Sequence, residues 1–235
     1  MEAAAMTISS AKAKSGKKFG TKKQVRQKPK TRRPGRAISL DEVRKLMTAC
    51  GRGAAGYRNR AFLALTFGAG LRCAEALAVC PRNIQRHPNG VFIQVENGKG
   101  GKPRLIGVIP EFVAPLETWI EHRKLLGIAP AATLICGITK SAKSNTLGGD
   151  RGSFGKSISR VLMTVTMHRL AKKAGIEQRV HLHGLRHGHA TTLARHGATL
   201  GAIAGQLGHS NLATTNTYLA KLDPQDLLSA VSLVK

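Results

Sequence analysis

The chain has 235 residues and a formal charge of +26, from 38 Lys and Arg against 12 Asp and Glu. No stretch approaches the ~20 apolar residues of a membrane span, and four cysteines (Cys50, Cys73, Cys80, Cys136) without a CxxC pair exclude a disulfide scaffold and point to reduced, buried thiols. An apolar share of 42% with 4% aromatics allows one domain, or a domain and a half, around a Leu, Ala, Val and Ile core.

Residues 1–37 hold twelve Lys and Arg and one acid, Glu2. This segment ends in KTRRPGR and is expected to lack fixed structure without a partner. Its basic, acid-poor composition fits an arm contacting DNA better than a transit segment. Removing it leaves 26 basic and 11 acidic residues, still +15, so the excess belongs to the folded part as well. Such a surplus suits a nucleic acid or an anionic membrane surface, and above all a surface laid along a phosphate backbone. A protein that coats nucleic acid without chemistry is the plainer alternative.

Order begins at AISLDEVRKLMTAC, where Ser39 as N-cap and Glu42 three residues on form a capping-box pattern ahead of Val43, Leu46 and Met47. YRNRAFLALTFGA is apolar on most sides and predicts a buried helix. GLRCAEALAVC follows a glycine break and again reads as helix. VFIQV and RLIGVI are strand-like, and the Asn, Gly and Lys residues between them are turn formers, which predicts a hairpin. EFVAPLETWIEHRKLLG predicts an amphipathic helix. Residues 139–153 read as a polar Gly/Ser-rich loop. SISRVLMTVTMHRLAKKAG then predicts a helix closed by Gly175. A helix within the histidine-rich 181–197 and a short one through LGAIAGQLG follow. The tail DPQDLLSAVSLVK places Leu227, Leu228, Val231 and Val234 on one helical face. The expected fold class is mainly α with a small antiparallel β-hairpin or three-stranded sheet.

GSFGKS at 152–157 imitates the end of a phosphate-cradling loop, but Asp150 stands where that motif needs glycine, and a flexible polar loop precedes it. HLHGLRHGHATTLARHG carries five of the chain's nine histidines and invites a zinc reading. Against it, no Asp or Glu occurs from Gln178 through Leu222, a span holding Arg179, Arg186, Arg195, Lys221 and six histidines. Imidazole and guanidinium donors without carboxylates suit an anion better than a cation. His183 and Arg186, three apart, project to one side of a helix. His187 and His189 read as packing or capping residues, and His196 beside Gly197 as a cation at a helix C-terminus; His181 has no assignment. Downstream, LGHSNLATTNTYLA offers His209 and Tyr218. Tyr57 reads as packing, whereas Tyr218 follows the donor cluster and is the candidate nucleophile, its phenol needing cationic neighbours or a base.

Four segments together, GLRCAE (70–75), GKGGKPR (98–104), HGLRH (183–187) and LGHSNLATTNTY (207–218), resemble the tyrosine recombinase (phage integrase) family in order and spacing, over roughly residues 36–222. The resemblance implies a recombinase-like catalytic domain over 38–235 with a tail at 222–235 that packs on a neighbouring subunit. It implies that Arg72 and Arg186 clamp the non-bridging oxygens of a scissile phosphate. Lys99 protonates the leaving 5′ oxygen, with Lys102 as the alternative. His183 assists proton transfer, His209 hydrogen-bonds the phosphate, and Tyr218 is the nucleophile. Glu75, three after Arg72, orients a basic neighbour.

The activity implied is site-specific cleavage and rejoining of double-stranded DNA through a covalent 3′-phosphotyrosine, as in DNA integration by mobile genetic elements, with no metal, cofactor or ATP. A homo-tetramer on DNA and a cytoplasmic, nucleoid-associated location go with it. The alternatives are a non-catalytic DNA-binding protein of the same fold and a type IB topoisomerase-like nicking-closing enzyme. The family usually carries a further N-terminal helical domain that completes a clamp around DNA. Only the basic arm precedes the catalytic domain here, so the arm or an accessory DNA-binding partner is expected to take that role.

Overall fold

The computed structural model describes residues 36–96, 103–139 and 153–208. Most of the expected arm, the interior of the 139–153 loop and the tail 222–235 lie outside the described residues.

Helix α1 (Leu40–Ala49) starts where the capping box placed it: Ser39 Oγ accepts from the Glu42 amide at 3.2 Å, and Glu42 returns the bond to the Ser39 amide at 2.9 Å. Helix α2 (Ala54–Leu63) continues into a π-helical turn, Ala64–Gly68, in which every residue is buried. The apolar run around Phe62, Leu65 and Phe67 thus becomes the centre of the core. Tyr57 packs its ring against His122 at 4.6 Å between centroids. Helix α3 (Cys73–Ala78) is short.

The sheet holds three antiparallel strands in sequence order, β1 (Ile84–His87), β2 (Gly90–Val95) and β3 (Arg104–Gly107). Ile84 pairs with Ile93 and Ile93 with Ile106, so the alternation of each strand stacks three isoleucines on the core face. The hairpin expectation is met by β2 and β3, with β1 added as an edge.

Helix α4 (Val113–Leu125) buries Leu116, Trp119, Ile120 and Arg123, the i, i+3, i+4, i+7 stripe of an amphipathic helix. Trp119 Nε1 donates to the Leu134 carbonyl at 2.7 Å. Gly155–Ser157, the false phosphate loop, instead edges a pair of single β-bridges, Cys136 with Ser157 and Gly137 with Phe154. Helix α5 (Arg160–Lys173) is capped by Ser159, whose hydroxyl accepts from the Leu162 amide, and ends at Gly175 with φ +68°. Helices α6 (Leu182–Arg195) and α7 (Leu200–Leu207) complete the described chain. Among the described residues no helix is long and apolar enough to cross a membrane.

Candidate active site

Arg72 stands just before α3 with extended backbone, at the N-cap position. Its exposed amide is taken by Glu75 Oε2 at 2.9 Å, the N3 carboxylate of a capping arrangement. Its guanidinium turns to the same carboxylate, Nη1 to Oε1 at 2.8 Å, and the side chain stays 31% exposed. The sharp entry into this position runs through Gly70 at φ +69°, where a Cβ would sit 2.5 Å from the His189 ring. Only glycine lets the loop pass that close.

Glu75 gathers more than Arg72. Arg104, the first residue of β3, donates Nη1 to Oε1 at 3.1 Å and Nη2 to Oε2 at 2.9 Å, a two-pronged pair. Arg186 of α6 brings Nη1 to 3.7 Å from Oε2. The expectation that Glu75 orients a basic neighbour is therefore met by three arginines on one carboxylate. Burial alone would raise the Glu75 pKa, but the Arg104 fork, the Arg72 amide and the surrounding charge outweigh it and hold the group below its ordinary value.

Arg186 is nearly enclosed, its side chain 2% exposed. It donates Nη1 to the Gly70 carbonyl at 2.8 Å and Nη2 to the Leu207 carbonyl at 2.5 Å, so it ties α6 to the loop before Arg72 and to the end of α7. His183, one turn earlier, is exposed and stands edge-on to His187 with ring centroids 4.4 Å apart. Partial desolvation, then the charges of Arg186, Arg72 and Arg160, hold the His183 pKa below its ordinary value, which favours the neutral imidazole.

His187, His189 and His196 take the structural places read for them, and His181, left unassigned by the sequence, caps α6. His189 is buried, and its Nδ1 donates to the Phe67 carbonyl at 2.6 Å, an acceptor supplied by the π-helical turn. Burial pushes its pKa down to about 4. His187 is buried within α6. His196 forms the C-cap of α6, with Nδ1 2.8 Å from the Thr192 carbonyl. His181 is the N-cap residue of the same helix, without a side-chain cap bond. No group of three His, Cys, Asp or Glu side chains converges in a metal-ligating arrangement among the described residues.

Helix α7 is stapled in place by Gln206, which donates Nε2 to the carbonyls of Ala69 at 3.2 Å and Gly107 at 2.7 Å and accepts from the Gly107 amide at 3.1 Å. It ends at Gly208 in the left-handed region, φ +63°. Lys99, Lys102, His209 and Tyr218 lie outside the described residues. The structure thus brings Arg72, His183 and Arg186 together; Arg104 on Glu75, Arg160 beside His183, and Gln206, which holds α7, went unassigned in the sequence. One signal for Arg104 was available: strand alternation puts it on the same face as the buried Ile106.

A family model for the phage integrase family matches residues 36–224. Tyrosine recombinase XerC of Escherichia coli is 28% identical to this chain over 218 residues, covering 93% of it and 64% of the relative, so the chain spans less than two thirds of that relative's length. Among solved structures, XerA recombinase superposes with a TM-score of 0.65 at 25% identity, over 88% of this chain and 66% of that one. XerH site-specific recombinase bound to a palindromic difH substrate, in a post-cleavage complex, gives 0.64 at 22% identity, over 84% and 53%. The catalytic domain of bacteriophage HP1 integrase gives 0.51 at 18% identity, over 86% and 96%. The fold is that of a tyrosine recombinase catalytic domain, mostly helical with a small antiparallel sheet. Matched by the family model over residues 36–224, the chain belongs to the phage integrase family, the tyrosine recombinases.

Proposed function

We propose that this protein cleaves and rejoins double-stranded DNA at specific sites through a covalent 3′-phosphotyrosine. The observation that carries this reading is the meeting of Arg72 and Arg186 at Glu75, with His183 exposed beside them. Two guanidiniums from different elements, held by one carboxylate, form a preorganised cationic pocket for a phosphate whose negative charge grows during substitution at phosphorus.

In this reading the Tyr218 oxygen attacks the scissile phosphorus, the new P–O(Tyr) bond forms, and the P–O5′ bond breaks. Lys99 donates a proton to the leaving 5′ oxygen. The depressed His183 pKa suits a neutral imidazole able to take the tyrosyl proton at neutral pH. Arg186, held by the Gly70 and Leu207 carbonyls, faces the same phosphate, and His209 adds a hydrogen bond. The phosphodiester energy is kept in the phosphotyrosine, so rejoining needs neither ATP nor a metal.

The strongly basic chain supplies the attraction to the DNA backbone. The working form is a homo-tetramer on two DNA sites, the tail 222–235 reaching a neighbouring subunit, with the arm 1–37 or an accessory partner completing the grip. It acts in the cytoplasm, at the nucleoid. The test is a pool of random-sequence nicked suicide duplexes run on denaturing gels. A covalent adduct that resists chelator supports the reading, and its absence, or its loss on chelation, contradicts it. Relaxation of supercoils lacking paired sites would favour a topoisomerase-like activity instead.

A further inference from the structure

Glu75 has more donors than the two proposed phosphate ligands require. Oε1 accepts from Arg72 Nη1 and Arg104 Nη1; Oε2 accepts from the Arg72 amide and Arg104 Nη2, and lies 3.7 Å from Arg186 Nη1. A carboxylate offers about four lone-pair sites. Arg104 therefore fills the places that Arg72 and Arg186 would otherwise compete for.

Arg104 also touches the end of α7. A Cβ on Gly208 would lie 2.7 Å from Arg104 Nε and 2.9 Å from its Cζ, so the guanidinium packs directly on the Gly208 backbone, one residue before His209. On its own strand, Arg104 pairs with Val95 and closes the 96–103 connection that contains Lys99. One side chain, 14% exposed, thus joins Glu75 of α3 to the end of α7, from the first residue of the strand that follows the 96–103 connection.

We propose that Arg104 is a positioning residue of the phosphate clamp. Its fork fixes the Glu75 carboxylate, so that Arg72 and Arg186 are held apart by Glu75 in the positions that face the substrate, and its plane braces the end of α7 at Gly208. This rests on the strand-cleavage reading above. Three guanidiniums and one carboxylate leave the cluster at +2. Without Arg104 it falls to +1, and Glu75 draws the remaining two arginines inward. Lysine keeps the charge but not the planar fork, so it substitutes only in part.

The test uses the full chain and a suicide duplex recovered from the random pool by its covalent attachment. It compares Arg104→Met, Arg104→Lys and the pair Arg104→Met with Glu75→Gln, which restores +2. Single-turnover cleavage is expected to slow about a hundredfold in Arg104→Met, the scale of a small misplacement of reacting groups. Arg104→Lys falls between it and the parent. The double variant regains part of the loss. The Arg104→Met deficit shrinks on a duplex whose scissile phosphate is a neutral methylphosphonate, because less charge then needs clamping. A deficit equal on both duplexes and unrelieved in the double variant overturns the proposal, as does parental cleavage by Arg104→Met.

If the parent forms no adduct on any duplex, the strand-cleavage reading fails separately, and the His183 titration decides the role of Arg104. His183 is faced by Arg72, by Arg160 of α5, and by Arg186 and His187 of α6. Followed by imidazole NMR in DNA-free protein, it should titrate higher in Arg104→Met and lower again in the double variant. An unmoved His183 titration then overturns the proposal. Should Arg104→Met not fold, Arg104→Lys is read in the same way, with a smaller change in the same direction.

Discussion

Arg104 Nη1 and Nη2 lie 3.1 and 2.9 Å from the two oxygens of Glu75, and this fork is the centre of a network that reaches Arg72 and Arg186. Removing the carboxylate leaves three guanidiniums facing one another in a mostly buried space. Glu75→Ala is expected to cost about 3–5 kcal/mol of folding stability, the range for breaking a buried pair, read from denaturant midpoints.

The same carboxylate makes stability depend on acid. Its folded pKa lies below its ordinary value, so the unfolded chain takes the proton first as pH falls. The contribution is full above the ordinary carboxylate range and is lost as pH drops through the folded pKa. Glu75→Gln should lack this part of the acid-dependent loss. Denaturant titrations of both proteins below a pH of about 4.5 check it.

His189 acts in a neighbouring window. Its pKa is pushed down to about 4 by burial, so the unfolded state binds the proton more readily between the ordinary value and that point. Stability should fall by about 3 kcal/mol as pH drops across this window. His189→Asn keeps a donor for the Phe67 carbonyl but does not titrate, and its stability should stay flatter over the same range. Imidazole NMR of His189 would show the depressed titration directly.

Helix α6 also receives the chain entering the domain. The Ile38 amide donates to the Gly184 carbonyl at 3.0 Å, and a Cβ on Gly188 would lie 1.9 Å from the Ile38 carbonyl oxygen. Gly188→Ala must push this segment off the helix and should destabilise by about 1–3 kcal/mol or more. Gly201 of α7 is exposed and has nothing within 4 Å of its Cβ position. Gly201→Ala should be neutral or stabilising by up to about 1 kcal/mol. Thermal melts of the two variants give the contrast.

Arg72 and Arg186 should separate stability from catalysis. Arg72 is partly exposed, and Glu75 keeps Arg104 in its absence. Arg72→Ala should slow cleavage by about 10²–10³-fold, as for a lost oxyanion donor, with a modest loss of stability. Arg186→Ala also strips the Gly70 and Leu207 carbonyls of a donor, so it should lose stability as well as cleavage. Melting and single-turnover cleavage on the same samples distinguish the two.

What could be read from the sequence was local. Ser39 with Glu42, and Gly175, mark helix ends because a cap satisfies amides or carbonyls within a few residues. Arg72 and Glu75 share a turn, so their pairing is visible in the spacing. His189 was legible as scaffold but not as a donor to Phe67, because that acceptor exists only through the π-helical widening of Ala64–Gly68. The strand Ile84–His87 reads as polar because it is a short edge with only Ile84 buried. Arg104 and Gln206 matter through partners 29 to 137 residues away, beyond any periodic pattern. The near-complete enclosure of Arg186 by Gly70 and Leu207 has the same long-range origin.

The central claim is that Tyr218 takes up the DNA strand while the Arg72 and Arg186 pair holds the phosphate. The most direct measurement is peptide mapping by mass spectrometry of the adduct formed with a nicked suicide duplex. The expected product is a nucleotide joined through a 3′ phosphate to the peptide containing Tyr218, with no adduct in Tyr218→Phe. An adduct on another residue, or one that survives Tyr218→Phe, contradicts it.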